Sequence, residues 1–177
     1  LSWLTFKFNL KSDATPSWRV TKVTLKGIEN MATFTAVQST SNSTSWTTAA
    51  DATPGVVTDN DIVVFDKAAG HVVEYVANGT VLEGTATGSD TEGAVVLIPQ
   101  SCAYTNDATN DACLEITYDL KGSGSEWITG QTKILPLNGT NVGNAWEIGK
   151  HYIYTITFGA NEILIAPAVN AWTPVVQ

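Results

Sequence analysis

The stretch Lys150–Phe158, KHYIYTITF, decides the fold. Tyr152, Tyr154, Ile156 and Phe158 fall on every second residue, and His151, Ile153, Thr155 and Thr157 stand between them. Successive side chains of a β-strand point to opposite faces, so this period of two puts four large side chains on one face. A helix, with its period of 3.6, would scatter the same four around its circumference.

The same alternation recurs in both directions from this stretch. Leu4, Phe6, Phe8 and Leu10 alternate with Thr5, Lys7 and Asn9. Residues 18–28 read as a strand with Val23 and Leu25 inward and Gly27 at a bulge, and residues 31–37 as a strand centred on Phe34. Residues 61–66 enclose the apolar run Ile62-Val63-Val64-Phe65. Residues 94–98 form a short apolar strand closed by Pro99. Cys113–Lys121 places Leu114, Ile116, Tyr118 and Leu120 on one face. Residues 126–137 form another strand, and 162–169 a last one, in which Pro167 marks a sheet edge because it lacks a ladder donor. Asn78-Gly79, between residues 71–77 and 80–87, is a hairpin signal, since a type I′ turn needs two residues at positive φ. Residues 38–55 hold no sustained period and read as a long loop or irregular edge carrying Trp46. About ten short strands with no helical stripe predict an all-β antiparallel sandwich. No linker divides residues 1–177, so a single domain is expected.

Composition narrows the function. The 177 residues carry a net charge of −8, with only 15% charged residues and 44% hydrophobic ones. An acidic field repels phosphate, which argues against nucleic acid and anionic lipid as partners. Arg19 is the single arginine, too few for a phosphate clamp. No run of apolar residues is long enough to span a bilayer. Leu1 is not a start methionine, and the alternation begins at once, so a targeting segment is expected to have preceded it.

A search for catalytic chemistry returns none. His71 and His151 are the two histidines, and His151, opposite Tyr152 and Tyr154, is expected to face solvent. Nucleophile-elbow and zinc-helix motifs are missing, and the glycines of residues 122–127 lack the third member and the helix of a dinucleotide loop. Asp59, Asp61 and Asp66 flank one strand. Asp107 and Asp111 share a loop with Asn106 and Asn110, residue types that favour turns on their own account. Their spacing matches no EF-hand, so no metal or cofactor is expected. Cys102 and Cys113 bracket that loop, and a disulfide there would stabilise by roughly 3 kcal/mol in an oxidising compartment. Trp46, in its polar stretch, is the tryptophan expected to be exposed as an aromatic contact.

Three further stretches carry a family resemblance. The opening, Leu4-Thr5-Phe6-Lys7-Phe8 followed by residues 20–28, VTKVTLKGI, resembles the start of the C-terminal domain of the fimbrillin-like proteins of Bacteroidetes, the subunits of type V pili. Leu97-Ile98-Pro99-Gln100 is similar to a signature of that family, followed by an I-x-Y strand at Ile116-Thr117-Tyr118. Residues 146–156, WEIGKHYIYTI, resemble its W-x-x-G-K-x-Y-x-Y-x-I run.

The resemblance implies a transthyretin-like or immunoglobulin-like sandwich that is the C-terminal half of a two-domain protein. It implies export as a lipoprotein to the outer membrane, proteolytic removal of an N-terminal strand after an arginine, and completion of the open groove by a donor strand from another subunit. Arg19, inside a strand, is not that arginine. The implied protein is a non-enzymatic structural subunit of a cell-surface fimbria, partnered by other subunits and by a surface protein or glycan. Its only membrane contact is a lipid anchor on the missing N-terminus. The seven residues from Ala171 to Gln177, with Trp172, Val175 and Val176 as subunit-contact residues and Pro174 among them, make a poor donor strand, which leaves open a tip or accessory adhesive subunit and a disordered or truncated tail. The alternative is a secreted carbohydrate-binding module whose exposed aromatics stack on sugars.

Overall fold

The computed structural model describes residues 1–11, 16–29, 32–37, 43–48, 61–74, 80–81, 94–107, 111–160 and 162–171. Its elements are strands: β1 Ser2–Leu10, β2 Ser17–Lys26, β3 Ala32–Val37, β4 Ser43–Thr48, β5 Ile62–Val72, β6 Thr80–Val81, β7 Ala94–Leu97, β8 Gln100–Ser101, β9 Cys113–Lys121, β10 Ile128–Pro136, β11 Ala145–Trp146, β12 Lys150–Phe158 and β13 Ile163–Ala171. One sheet runs β13-β12-β1-β6, with β7 also on β1, and a second runs β10-β9-β2-β5. Two-stranded pieces, β3-β4 and β8-β11, complete the all-β sandwich.

The alternation dictates how the sheets face each other. Leu4, Phe6, Phe8, Tyr152, Tyr154, Ile156 and Phe158 of the first sheet are buried in one core with Trp18, Val20, Val23, Leu25, Leu114 and Ile116 of the second. Each such side chain gains about 1.5–3 kcal/mol on leaving water. The pairing is antiparallel except at the centre of the first sheet, where β1 and β12 run parallel with Phe6 opposite Tyr154. That register layers the aromatics, with Phe6 and Tyr154 stacked at 5.7 Å and Phe8 and Phe158 edge-on at 5.6 Å.

Several expectations are corrected. Residues 43–48 form the regular strand β4, where a long loop or irregular edge was expected. β4 pairs with β3 and sets Trp46 opposite Phe34, cross-strand pairing supplying what the local pattern lacks. Most of the hairpin expected across residues 71–87 lies outside the described residues, and its described ends pair elsewhere. β5 pairs with β2 in the second sheet and β6 with β1 in the first. The chain changes sheets at residues 73–74, where Val73 N–H donates to the Trp18 carbonyl and Leu10 N–H to the Glu74 carbonyl. The Asn78-Gly79 turn lies outside the described residues. Residues 61–66 and the start of the next expected strand are one strand, β5, and the two-residue strands β8 and β11 are too short to leave a period.

The Cys102–Cys113 disulfide is also corrected, because the two side chains are buried and not joined. Cys102 follows β8 and donates its N–H to the Asn144 carbonyl at 2.8 Å, while Cys113 opens β9 between Lys26 and Pro136. Burial pushes both thiols up to about 11. The loop between them is tied instead by Asp111, whose Oδ2 accepts from Thr105 N–H at 2.5 Å, Thr105 Oγ1–H at 3.0 Å and Asp107 N–H at 3.0 Å.

Candidate interaction surface

A β-sandwich meets other chains through sheet edges and exposed apolar side chains. The second sheet ends in β10 and β5, and both are irregular. β10 shifts register against β9 between Ile128 and Gln131, and β5 shifts twice against β2. Bulges twist an edge and interrupt its ladder of donors and acceptors. On the first sheet β13 pairs with β12 through nine consecutive positions, from Lys150 opposite Ala171 to Phe158 opposite Ile163, with no shift. Among the described residues no strand pairs with its other side.

The outer face of the second sheet is organised around Arg19. Its Nε and Nη2 both donate to Asp119 Oδ2, at 2.9 and 2.5 Å, while Asp119 Oδ1 accepts from Gly130 N–H at 3.0 Å. The guanidinium lies 4.5 Å from the Trp127 ring. This links β2, β9 and the bulge of β10. The i, i+2 pattern held no sign of it, because the partners are 100 residues apart.

A second network anchors the loop that follows β10. Trp146 Nε1–H donates to the Tyr154 hydroxyl at 2.7 Å, and that hydroxyl donates to the Leu137 carbonyl at 2.9 Å. Tyr152 accepts from Glu147 N–H at 2.7 Å. Both tyrosines of the strand that reveals the fold therefore use their polar ends to hold the β11 turn and the loop base.

The residues singled out by sequence lie partly outside the described residues. Trp46 lies in β4 opposite Phe34, which is 49% exposed, and its own side chain is outside the described atoms. Trp172, Val175 and Val176 lie outside the described residues. His151 departs from its expected solvent position. It is half-buried, stacks on Trp3 at a centroid distance of 4.2 Å, and is hydrogen-bonded through Nε2 to Thr5 Oγ1 at 2.9 Å. Hydrogen bonds decide the Asp111 carboxyl: slight burial raises its pKa, but the donors from Asp107 and Thr105 outweigh this and hold it below the ordinary carboxylate range. Among the described residues no group of three or more His, Cys, Asp or Glu is placed to hold a metal ion.

Three exposed apolar side chains share one corner. Leu1, Val96 and Ile148 are 44%, 54% and 53% exposed. Val96 lies opposite Trp3, and Gly149 N–H donates to the Leu1 carbonyl at 3.0 Å, which brings the Ile148 turn beside the first residue. At the other end a cavity of about 800 Å³ opens between Trp18, Tyr118, Leu120 and Ile128.

Comparison with known proteins gives this surface a context. The family model described as fimbrillin-like matches residues 1–172. Among solved structures, the chain is similar to a candidate cell adhesion protein from Bacteroides uniformis ATCC 8492, at 15% identity and a TM-score of 0.50, over 98% of this chain and 51% of that one. It also matches a fimbrial protein from Bacteroides vulgatus ATCC 8482 at 18% identity and a TM-score of 0.46, over 98% of this chain and 54% of that one. The chain thus spans about half the length of these structures. No curated protein matches it.

Proposed function

Because the chain belongs to the fimbrillin-like family, we propose that it is a non-enzymatic structural subunit of a cell-surface fimbria that joins its neighbours by strand addition. The family match over residues 1–172 carries this reading. A sandwich whose edges end in strands has the means for it, since an added strand satisfies edge N–H and C=O groups and seats alternate side chains. On this reading residues 1–177 are the C-terminal half of a longer, lipid-anchored protein of the outer membrane. The exposed corner of Leu1, Val96 and Ile148 then takes the preceding domain, and Trp172, Val175 and Val176 are candidate subunit-contact residues.

The full-length gene product, expressed in its own host and sheared from the cell surface, tests this. High-mass ladders containing the protein are expected on blotting unheated samples. Loss of the ladders on deleting residues 172–177 assigns the donor role to the tail, and unchanged ladders assign it elsewhere. A protein found only inside the cell, as a single species, overturns the reading.

One observation favours a second use. Phe34 is exposed and has Trp46 as its register partner across β3 and β4, and an exposed aromatic stacks on sugar rings or seats a partner's apolar side chain. Titration of a glycan panel against tryptophan fluorescence reads it out. A saturable response lost in Trp46→Ala favours glycan binding, and no response rejects it.

A further inference from the structure

Trp18, the second residue of β2, is 4% exposed, and its indole Nε1–H is buried with no hydrogen-bond partner. A buried donor without an acceptor has lost its water and gained nothing in return, so native structures rarely keep one without a use. The indole is flanked by the Tyr118 ring at 5.1 Å and the Phe158 ring at 5.2 Å, both tilted against it. Aromatic faces accept a proton only weakly and do not replace an oxygen.

The cavity of about 800 Å³ lies against this side chain. Its wall is one row across three strands, because Leu120 of β9 pairs with Trp18 of β2 on one side and with Ile128 of β10 on the other. Pro16 extends the apolar lining, and Ile128 is left 57% exposed. A cavity of this size, apolar with a few polar groups and mounted on strands, has the build of a small-molecule site.

The polar groups set the sign of the ligand. The Trp18 indole N–H and the Lys121 ammonium at the cavity can donate and cannot accept. Lys121 makes no ion pair among the described residues. No carboxylate is among the described residues that line the cavity, although the chain holds 17 acidic residues against nine basic ones. The site therefore lacks acceptors and negative charge in a protein that has a surplus of both.

We propose that this cavity binds a small amphipathic carboxylic acid, with its apolar body along the Trp18–Leu120–Ile128 row and its carboxylate taking the Trp18 N–H and the charge of Lys121. A neutral apolar molecule leaves the indole N–H unpaired, and a bare anion forgoes the row. Such a ligand is independent of the fimbrial role.

Octanoate, octanol and acetate are the probes, titrated into the 177-residue chain while the assigned indole N–H resonance of Trp18 is followed by NMR. Octanoate is expected to shift that resonance saturably, octanol to bind about tenfold more weakly, and acetate not to saturate. Lys121→Gln is expected to weaken octanoate about threefold and to leave octanol unchanged. Trp18→Phe, which keeps a ring and removes the donor, is expected to weaken octanoate about fivefold. An indole resonance that octanoate does not move overturns the proposal, and so does equal affinity for octanoate and octanol. If Trp18→Phe fails to fold, Ile128→Asp, at an exposed position of the wall, decides: octanoate binding is expected to be lost, and binding unchanged in that variant overturns the site.

Discussion

Arg19 on β2 and Asp119 on β9 form a two-pronged ion pair, with the Asp119 side chain 6% and the Arg19 side chain 25% exposed. The carboxylate accepts three donors, two from the guanidinium and one from Gly130 N–H. Here the single arginine of the chain meets an acid while its guanidinium lies over Trp127.

Removing one partner leaves the other charge in a poorly hydrated position. Arg19→Ala is expected to lower unfolding free energy by about 3 kcal/mol, at the lower end of the range for buried pairs because the guanidinium is partly wet. Arg19→Lys is expected to lose less, keeping the charge and losing the fork and the ring contact. Urea unfolding of both variants checks the order, and equal losses would reject it.

Gly70 makes the pair possible. It lies at φ +70, and a Cβ there would stand 2.3 Å from Arg19 Cγ. Gly70→Ala therefore strains the backbone and pushes Arg19 from Asp119. In the Arg19→Ala background only the backbone cost, about 1–2 kcal/mol for a left-handed alanine, is expected to remain. A double-mutant cycle with zero coupling would show that the contact does not matter.

Alkaline pH is expected to loosen the fold. Burial raises Cys102 and Cys113 from 9.0 to about 11, so the native state holds the neutral thiols while the unfolded chain ionises earlier. Their contribution is fully present below pH 9 and is lost as pH rises toward 11. The urea midpoint is expected to fall over that window, and less steeply in Cys102→Ala/Cys113→Ala, with Tyr154, also raised by burial, adding to the fall. Thiol reagents at neutral pH are expected to label neither cysteine until the chain unfolds.

Tyr154→Phe removes a hydroxyl that serves both Trp146 Nε1–H and the Leu137 carbonyl. Two buried groups lose their partner, and a loss of about 2–4 kcal/mol is expected. Tyr152→Phe, at a less buried hydroxyl, is expected to lose less. Thermal unfolding of the pair measures the difference.

The sequence by itself determined the strands that alternate: β1, β2, β9 and β12, their inward residues, and the edge position of Pro167. A strand's two faces are written in its own residues, so a period of two is legible without knowing what lies opposite. The family was legible for the same reason, since its motifs lie on those strands and their turns. Only the tertiary structure decided what depends on pairing between distant segments. That β1 lies parallel to β12, that β4 exists at all, that the chain changes sheets after β5, and that the two cysteines stay apart are facts about neighbours. Arg19 meeting Asp119 is of the same kind. Hydrogen bonds between strands and ion pairs across a sheet depend on proximity in space, and a single sequence records periodicity along the chain but not which strand lies alongside which.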